Sequence, residues 1–168
     1  MPDSVHVDSV DLEILRLLQN DARTSNRELA AAVGIAPSTC LDRVRRLRRA
    51  GVILGYALRL DPAALGRPIQ AFLAVRVGPH HRPLVDNFVA HVLAQPQTRA
   101  LYHVAGPEDY LVHVAAADIT DLQRLVLDGF TARREVTGVR TMLVFQTWDA
   151  GPLLPPAAGA GARPAKVR

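Results

Sequence analysis

Apolar and polar positions along the first fifty residues recur with the period of short helices. From Asp8 to Asn20, Val10, Ile14, Leu17 and Leu18 fall at helical spacing with Leu12 and Leu15 beside them, and Asp8 or Ser9 can cap the start. In "TSNRELAAAVG" that follows, Ser25 as N-cap and Glu28 three residues on make a capping box. Leu29, Ala32 and Val33 are expected to form the buried face there, and Gly34 ends the helix. A short "GIA" connection leads to Pro37 at a first helical turn, and a third helix runs to about Ala50, with Gly51 as its stop. Three short helices, the last two joined by a glycine-containing turn, predict a helix-turn-helix domain over 8–56, with the motif at about 26–45. Val52–Leu60 ("VILGYALRL") reads as a strand, a wing or a lead into a second domain. Residues 57–68 form the linker strand and hinge, punctuated by Pro and Gly in "DPAALGRP".

The pattern changes after Pro68. Ile69–Val77 predicts a strand, and Arg82–Pro96 an amphipathic helix burying Leu84, Val85, Phe88, Val89, Val92 and Leu93. "TRALYHVAG" and "DYLVHVAAA" predict two strands joined by a tight "GPED" turn. Asp118 or Thr120 caps a helix to roughly Phe130, and Gly138–Trp148 is the last strand, with Phe145 and Trp148 expected in core or dimer packing. The order β-α-β-β-α-β predicts a ferredoxin-like domain over 69–148, so the fold class is α+β with an N-terminal winged helix-turn-helix. Residues 1–7 read as a flexible N-terminus. The Pro/Gly/Ala-rich 149–168 read as a disordered basic tail that cannot bury a core.

Composition narrows the function classes. No apolar run reaches the ~18 residues of a membrane span, and the acidic, polar start does not fit a signal peptide. A single cysteine, Cys40, excludes an internal disulfide and leaves a metal cage poorly supplied, so no cofactor or metal is expected and a cytoplasmic location is. Net charge is +2 over residues 1–60, −1 over 61–150 and +3 over 151–168, so the positive charge sits at the two ends.

The third helix concentrates that charge. Stepping 100° per residue, Cys40, Leu41, Val44 and Leu47 form one stripe; Ser38, Thr39, Asp42, Arg45, Arg46 and Arg49 lie opposite it, with Arg43 and Arg48 on the flanks. Cys40 on the apolar stripe is expected to be a small core residue. Small hydrogen-bonding groups at the N-terminal end and guanidiniums further along suit a recognition helix in a major groove. Ser38, Thr39, Asp42 and Arg45 are the candidates for base reading, and Arg43, Arg46 and Arg49 for phosphate contacts. Arg48 is the arginine most readily left to solvent, and Ser25 and Asn26 at the start of the second helix complete the candidate set.

The motifs "VDLEILRLLQNDAR", "SNRELAAAVG", the run Cys40-Leu41-x-Arg43-Val44-x-Arg46-Leu47 and "GVILGY" resemble the DNA-binding half of the Lrp/AsnC (leucine-responsive, feast/famine) transcription regulators. "VAGPEDYLVHV" and "GVRTMLVF" resemble that family's ferredoxin-like effector domain, and the likeness covers about residues 8–148. Ala36 stands where the family usually has a serine N-cap, Thr39 often aligns with proline and Arg48 with glutamate. The resemblance implies a double-stranded-DNA-binding regulator that forms a homodimer by pairing effector-domain sheets and assembles further into even-numbered oligomers. It also implies a small effector, usually an amino acid, with Gly106, Asp109 and Tyr110 as the ligand loop and Thr141 as a neighbouring subunit's contribution. Gly106 permits close backbone approach and Asp109 suits an α-ammonium group, although the hairpin turn explains Gly106-Pro107 equally well.

Two other readings compete. Some haem-pathway decarboxylases resemble the same two-domain architecture, and His103 and His113 on paired strands suggest a shared cleft, with His80, His81 and His91 elsewhere. No nucleophile elbow, phosphate loop or paired-carboxylate motif accompanies them, so no catalytic residue is assigned. An effector-sensing protein that no longer binds DNA is the third.

Overall fold

The computed structural model describes residues 6–79 and 82–156. The expectations for residues 1–5, for the loop histidines His80 and His81, and for tail residues 157–168 lie outside the described residues. The chain divides into two compact units, Met1–Leu58 with Asp149–Arg168, and Arg59–Trp148.

The first unit holds α1 (Ser9–Asn20), α2 (Asn26–Val33) and α3 (Pro37–Arg49). Asp8 caps α1, its carboxylate accepting the Asp11 N–H while the Asp11 carboxylate accepts the Asp8 N–H. Ser25 and Glu28 make the reciprocal pair at α2. Gly34 ends α2 in the left-handed region at φ 71°, where a side chain would be strained, and so turns the chain tightly into α3. Ala36 caps α3 without a side-chain hydrogen bond. Ile14, Leu29, Ala30, Cys40 and Val44 meet in the core of this unit, so α2 buries Ala30 where Ala32 is expected, and Ala32 is exposed.

The strand expected over Val52–Leu60 does not form. The N–H groups of Val52 and Ile53 both return to the Leu47 carbonyl at the end of α3, and the chain beyond has no ladder partner among the described residues, with Leu54 94% exposed. Alternating apolar residues supply β propensity, but a strand needs a second strand to bond to.

The second unit is a four-stranded antiparallel sheet. Its elements are β1 (Ile69–Val77), α4 (Arg82–Ala94), β2 (Thr98–His103), β3 (Tyr110–Ala116), α5 (Ile119–Arg124) running into a π-helical turn (Leu125–Thr131), and β4 (Val136–Leu143). The sheet order is β2-β3-β1-β4. Asp118 caps α5. Leu73, Val75, Val112 and Val114 on one face of the sheet pack with Phe88 and Val92 of α4 and with Phe130. Leu93, expected on the buried side of α4, is 59% exposed, because the buried stripe runs through Phe88 and Val92. The last strand starts earlier than expected and ends at Leu143, so Phe145 and Trp148, 98% and 77% exposed, are not core residues of this chain.

Candidate nucleic-acid interface and effector loop

Packing sets the roles of the α3 side chains. Cys40, Val44 and Leu47 are buried, and Pro37, Ser38, Thr39, Asp42, Arg45, Arg48 and Arg49 are exposed. Burial pushes the Cys40 thiol up, which keeps it protonated and inert. The helix axis therefore sits on its apolar stripe as the spacing predicts. The two remaining arginines behave otherwise.

Arg43 Nη1 donates to Asp11 Oδ1 at 2.9 Å and to Asp8 Oδ2 at 2.7 Å, and Arg46 Nη2 pairs with Asp11 Oδ2. Arg46 also donates to the His6 carbonyl at 3.3 Å. The Asp11 side chain is 0% exposed, so a buried carboxylate on α1 fixes two guanidiniums of α3. Arg43 and Arg46, expected at phosphates, are thus paired with α1 in the unbound chain, and 42% of the Arg46 side chain stays exposed. A helical wheel plots Cα directions, and a guanidinium reaches far enough to leave its sector. Asp11 is a functional residue that the sequence pattern does not single out as a candidate. Its signal is its place on the apolar stripe of α1, three residues before Ile14 and seven before Leu18. A carboxylate there must be paired.

The hydrogen bond from the Asp11 N–H, and then the Arg43 guanidinium, hold the Asp8 carboxyl well below its ordinary 3.8, at about 2. Arg48, placed on the flank, lies over the Tyr56 ring at 5.8 Å from its centroid. Arg45 approaches Asp42 only at 3.9 Å, both side chains being largely in solvent. Ser25, exposed, spends its hydroxyl oxygen on the Glu28 N–H, with Asn26 beside it half-buried.

The loop between β2 and β3 is tied to the sheet at each of its later residues. Pro107 accepts from Arg76 Nε at 3.2 Å, Glu108 pairs with Arg140 at 2.9 Å, and Asp109 Oδ2 accepts the Val77 N–H at 2.8 Å. Asp109 thus supplies Val77 with an acceptor at the end of β1, and its own N–H donates to the Val75 carbonyl. Gly106 has φ 155°, which side-chain-bearing residues rarely adopt, and a Cβ built there would meet no heavy atom within 4 Å. Tyr110 is 4% exposed, its ring stacked on His103 at 5.0 Å and tilted on Phe88 at 5.1 Å. That ring belongs to the core, and burial raises its hydroxyl pKa. Thr141 on β4 pairs with Leu73 of β1, and β1 separates it from β3, so within one chain it stands about 10 Å across the sheet from the loop strand.

The histidine cleft does not exist. His103 stacks on Tyr110 on the helix side of the sheet. His113 stacks on Phe72 at 4.9 Å and bonds Gln70 on the other side, so β3's alternation sends the two rings to opposite faces. Burial, and then the charge of Arg99, lower the His113 pKa. His91 Nε2 lies 2.8 Å from the Gly129 carbonyl. Among the described residues no three His, Cys, Asp or Glu side chains converge on a point that would hold a metal, and no helix is long and apolar enough to cross a membrane.

Comparison with known proteins agrees with this geometry. A winged helix-turn-helix DNA-binding model matches residues 7–53, and the Lrp/AsnC ligand-binding domain model matches residues 70–154. The HTH-type transcriptional regulator AldR of Mycolicibacterium smegmatis is 43% identical over 140 residues, which is 83% of this chain and 82% of that one. The leucine-responsive regulatory protein of Rhizobium meliloti is 39% identical over 142 residues, 84% of this chain and 91% of its own. A transcriptional regulator from Neisseria meningitidis, solved as a complex with L-Met, superposes with a TM-score of 0.82 at 29% identity, covering 89% of this chain and 97% of that one. With both halves matched and relatives at this identity named as regulators, the chain belongs to the Lrp/AsnC family of DNA-binding transcriptional regulators.

Proposed function

We propose that the exposed face of α3 reads double-stranded DNA, and that an amino acid acting on the second unit adjusts assembly or DNA affinity. The observation that carries this reading is the division of labour along α3. Ser38, Thr39, Asp42, Arg45 and Arg49 project from a helix whose other arginines, Arg43 and Arg46, are used to hold it on α1. A recognition helix needs both an outward polar face and a fixed seat. Ser38 and Thr39 stand at its N-terminal end for base edges, and Arg45 and Arg49 further along for base edges or phosphates. Ser25 and Asn26 are close enough in sequence to the motif's start to meet the backbone.

For the effector, the open backbone at Gly106 and the carboxylate of Asp109 are the groups that suit an amino acid. Tyr110 contributes by anchoring the loop, and Thr141 enters from a second chain. The sheet face away from the helices carries Phe72, His113 and Met142 as cross-strand neighbours, an apolar surface suited to pairing with a second copy. A homodimer, and even-numbered assemblies of it, follow from that pairing.

The test is capture of genomic DNA fragments by the purified protein with and without each amino acid. Enrichment of discrete sites whose occupancy one amino acid changes is the expected result. Uniform capture of fragments regardless of sequence, or no capture, would contradict the reading.

A further inference from the structure

The segment after Trp148 contains an unexpected attachment. Leu153 donates its N–H to Gln19 Oε1 at 2.8 Å, and Gln19 Nε2 donates to the Leu153 carbonyl at 3.1 Å. The side-chain amide of Gln19 thus meets both backbone groups of one residue, as a neighbouring strand would. Gln19 Nε2 also donates to the Leu15 carbonyl one turn back, at 3.2 Å. Both amide protons and the oxygen are therefore used. Turning the amide over would set its NH2 against the Leu153 N–H and its oxygen against two carbonyls, so the network admits one orientation.

The surroundings fit the attachment. Gln19 lies beside a cleft of about 400 Å³ on the first unit, walled by Leu15 and Leu18 of α1, by Ala22 in the turn after it, and by Ile53, Leu54 and Tyr56 after α3. Leu153 is among its lining residues. The sequence that borders it at Leu153 is "GPLLPP". Pro152, Pro155 and Pro156 restrict it to extended backbone, which lowers the entropy lost on docking, and they remove N–H groups, leaving Leu153 and Leu154 as the donors between them. Leu153 is 85% exposed, and its contacts with Gln19 run through its backbone N–H and carbonyl.

We propose that the chain's own Gly151–Pro156 segment docks on this unit at the rim of the cleft, seated by the Gln19 amide. Part of what the sequence presents as a tail is then a strap on the DNA-binding unit, and the chain reaches that unit twice, before the linker and again after β4.

Amide exchange in the full-length protein tests it, with the neighbouring Leu154 amide as internal reference. The Leu153 amide is expected to exchange at least about tenfold more slowly than that of Leu154, because only the former is hydrogen-bonded. Gln19→Ala should erase the difference, and Leu153→Ala should keep it. Equal exchange of the two amides in the unaltered chain would overturn the proposal. So would protection that survives Gln19→Ala, or that vanishes in Leu153→Ala, since either assigns the protection to something other than the amide clamp. Labelled Gln19→Ala chains refolded with an excess of unaltered chains should stay unprotected. Recovery of protection there would show that the clamp acts between two copies and overturn docking within one chain.

Discussion

Asp11 is a fully buried carboxylate that holds two guanidiniums, and each of those is a charge withdrawn from the face expected to meet DNA. Asp11→Asn keeps the side chain's shape and removes its charge. Hydrogen bonds to a charged group contribute about 1.5–3 kcal/mol each, and Asn retains part of one, so the helix-turn-helix unit should lose about 2 kcal/mol in denaturant unfolding. An unchanged midpoint would deny Asp11 its holding role. Asp8 makes the pH prediction. Its carboxyl is depressed from 3.8 to about 2, so the folded state favours the ionised form; that stabilisation is complete above 3.8 and is lost as pH falls through about 2. Thermal melts between pH 4 and pH 2 should show a steep loss of stability, and Asp8→Asn, which can still cap α1, should make that dependence shallower. An identical slope in the variant would place the acid sensitivity elsewhere. Neither Asp8 nor Asp11 is legible as an Arg partner in the sequence, since the pairings span 35 and 32 residues between Asp8 or Asp11 and Arg43, and only folding brings α1 beside α3.

Among the elements, the helices are legible and the strands less so, for a physical reason. A helix satisfies its backbone within itself, so caps such as Ser25–Glu28 and stops such as Gly34 and Gly51 mark it locally. A strand is decided by its partner. Val52–Leu60 has the composition of a strand and no partner among the described residues, while β4 begins at Val136 and stops at Leu143 because its pairing with β1 ends there. The π-helical turn at Leu125–Thr131 continues a helix that periodicity places to roughly Phe130. The start of α3 has no side-chain cap. Ala36→Ser supplies an acceptor for an N–H of the first turn and should stabilise the unit by about 1 kcal/mol, read as a higher denaturation midpoint. A midpoint that does not rise would mean Ala36's backbone geometry cannot present the hydroxyl.

For the molecule as a whole, architecture and family are readable from motif order, whereas packing that needs a second chain is not. Phe145 and Trp148 show the limit: sequence marks them as large apolar groups, and in one chain both are exposed. The open sheet face around Phe72 and Met142 raises the same question, and its burial by a second copy can be tested directly. Met142→Asp puts a carboxylate opposite Phe72 on a position already 38% exposed, so the chain should still fold. Burying that unpaired charge costs several kcal/mol, so the particle mass by light scattering should fall to that of one chain. A mass unchanged from the unaltered protein would move the dimer interface to another surface.

The central claim is that the outward arginines of α3 meet DNA while the inward pair holds the helix. It is tested most directly by the salt dependence of affinity for a captured DNA site, comparing the unaltered protein with Arg45→Ala/Arg49→Ala. If both guanidiniums neutralise phosphates, the double variant binds more weakly and the slope of log affinity against log salt becomes shallower by about 0.9 for each phosphate left without its guanidinium, about 1.8 for the pair. If one reads a base instead, the slope falls by about 0.9 and discrimination between sites falls with it. An affinity and slope equal to those of the unaltered protein would contradict the account.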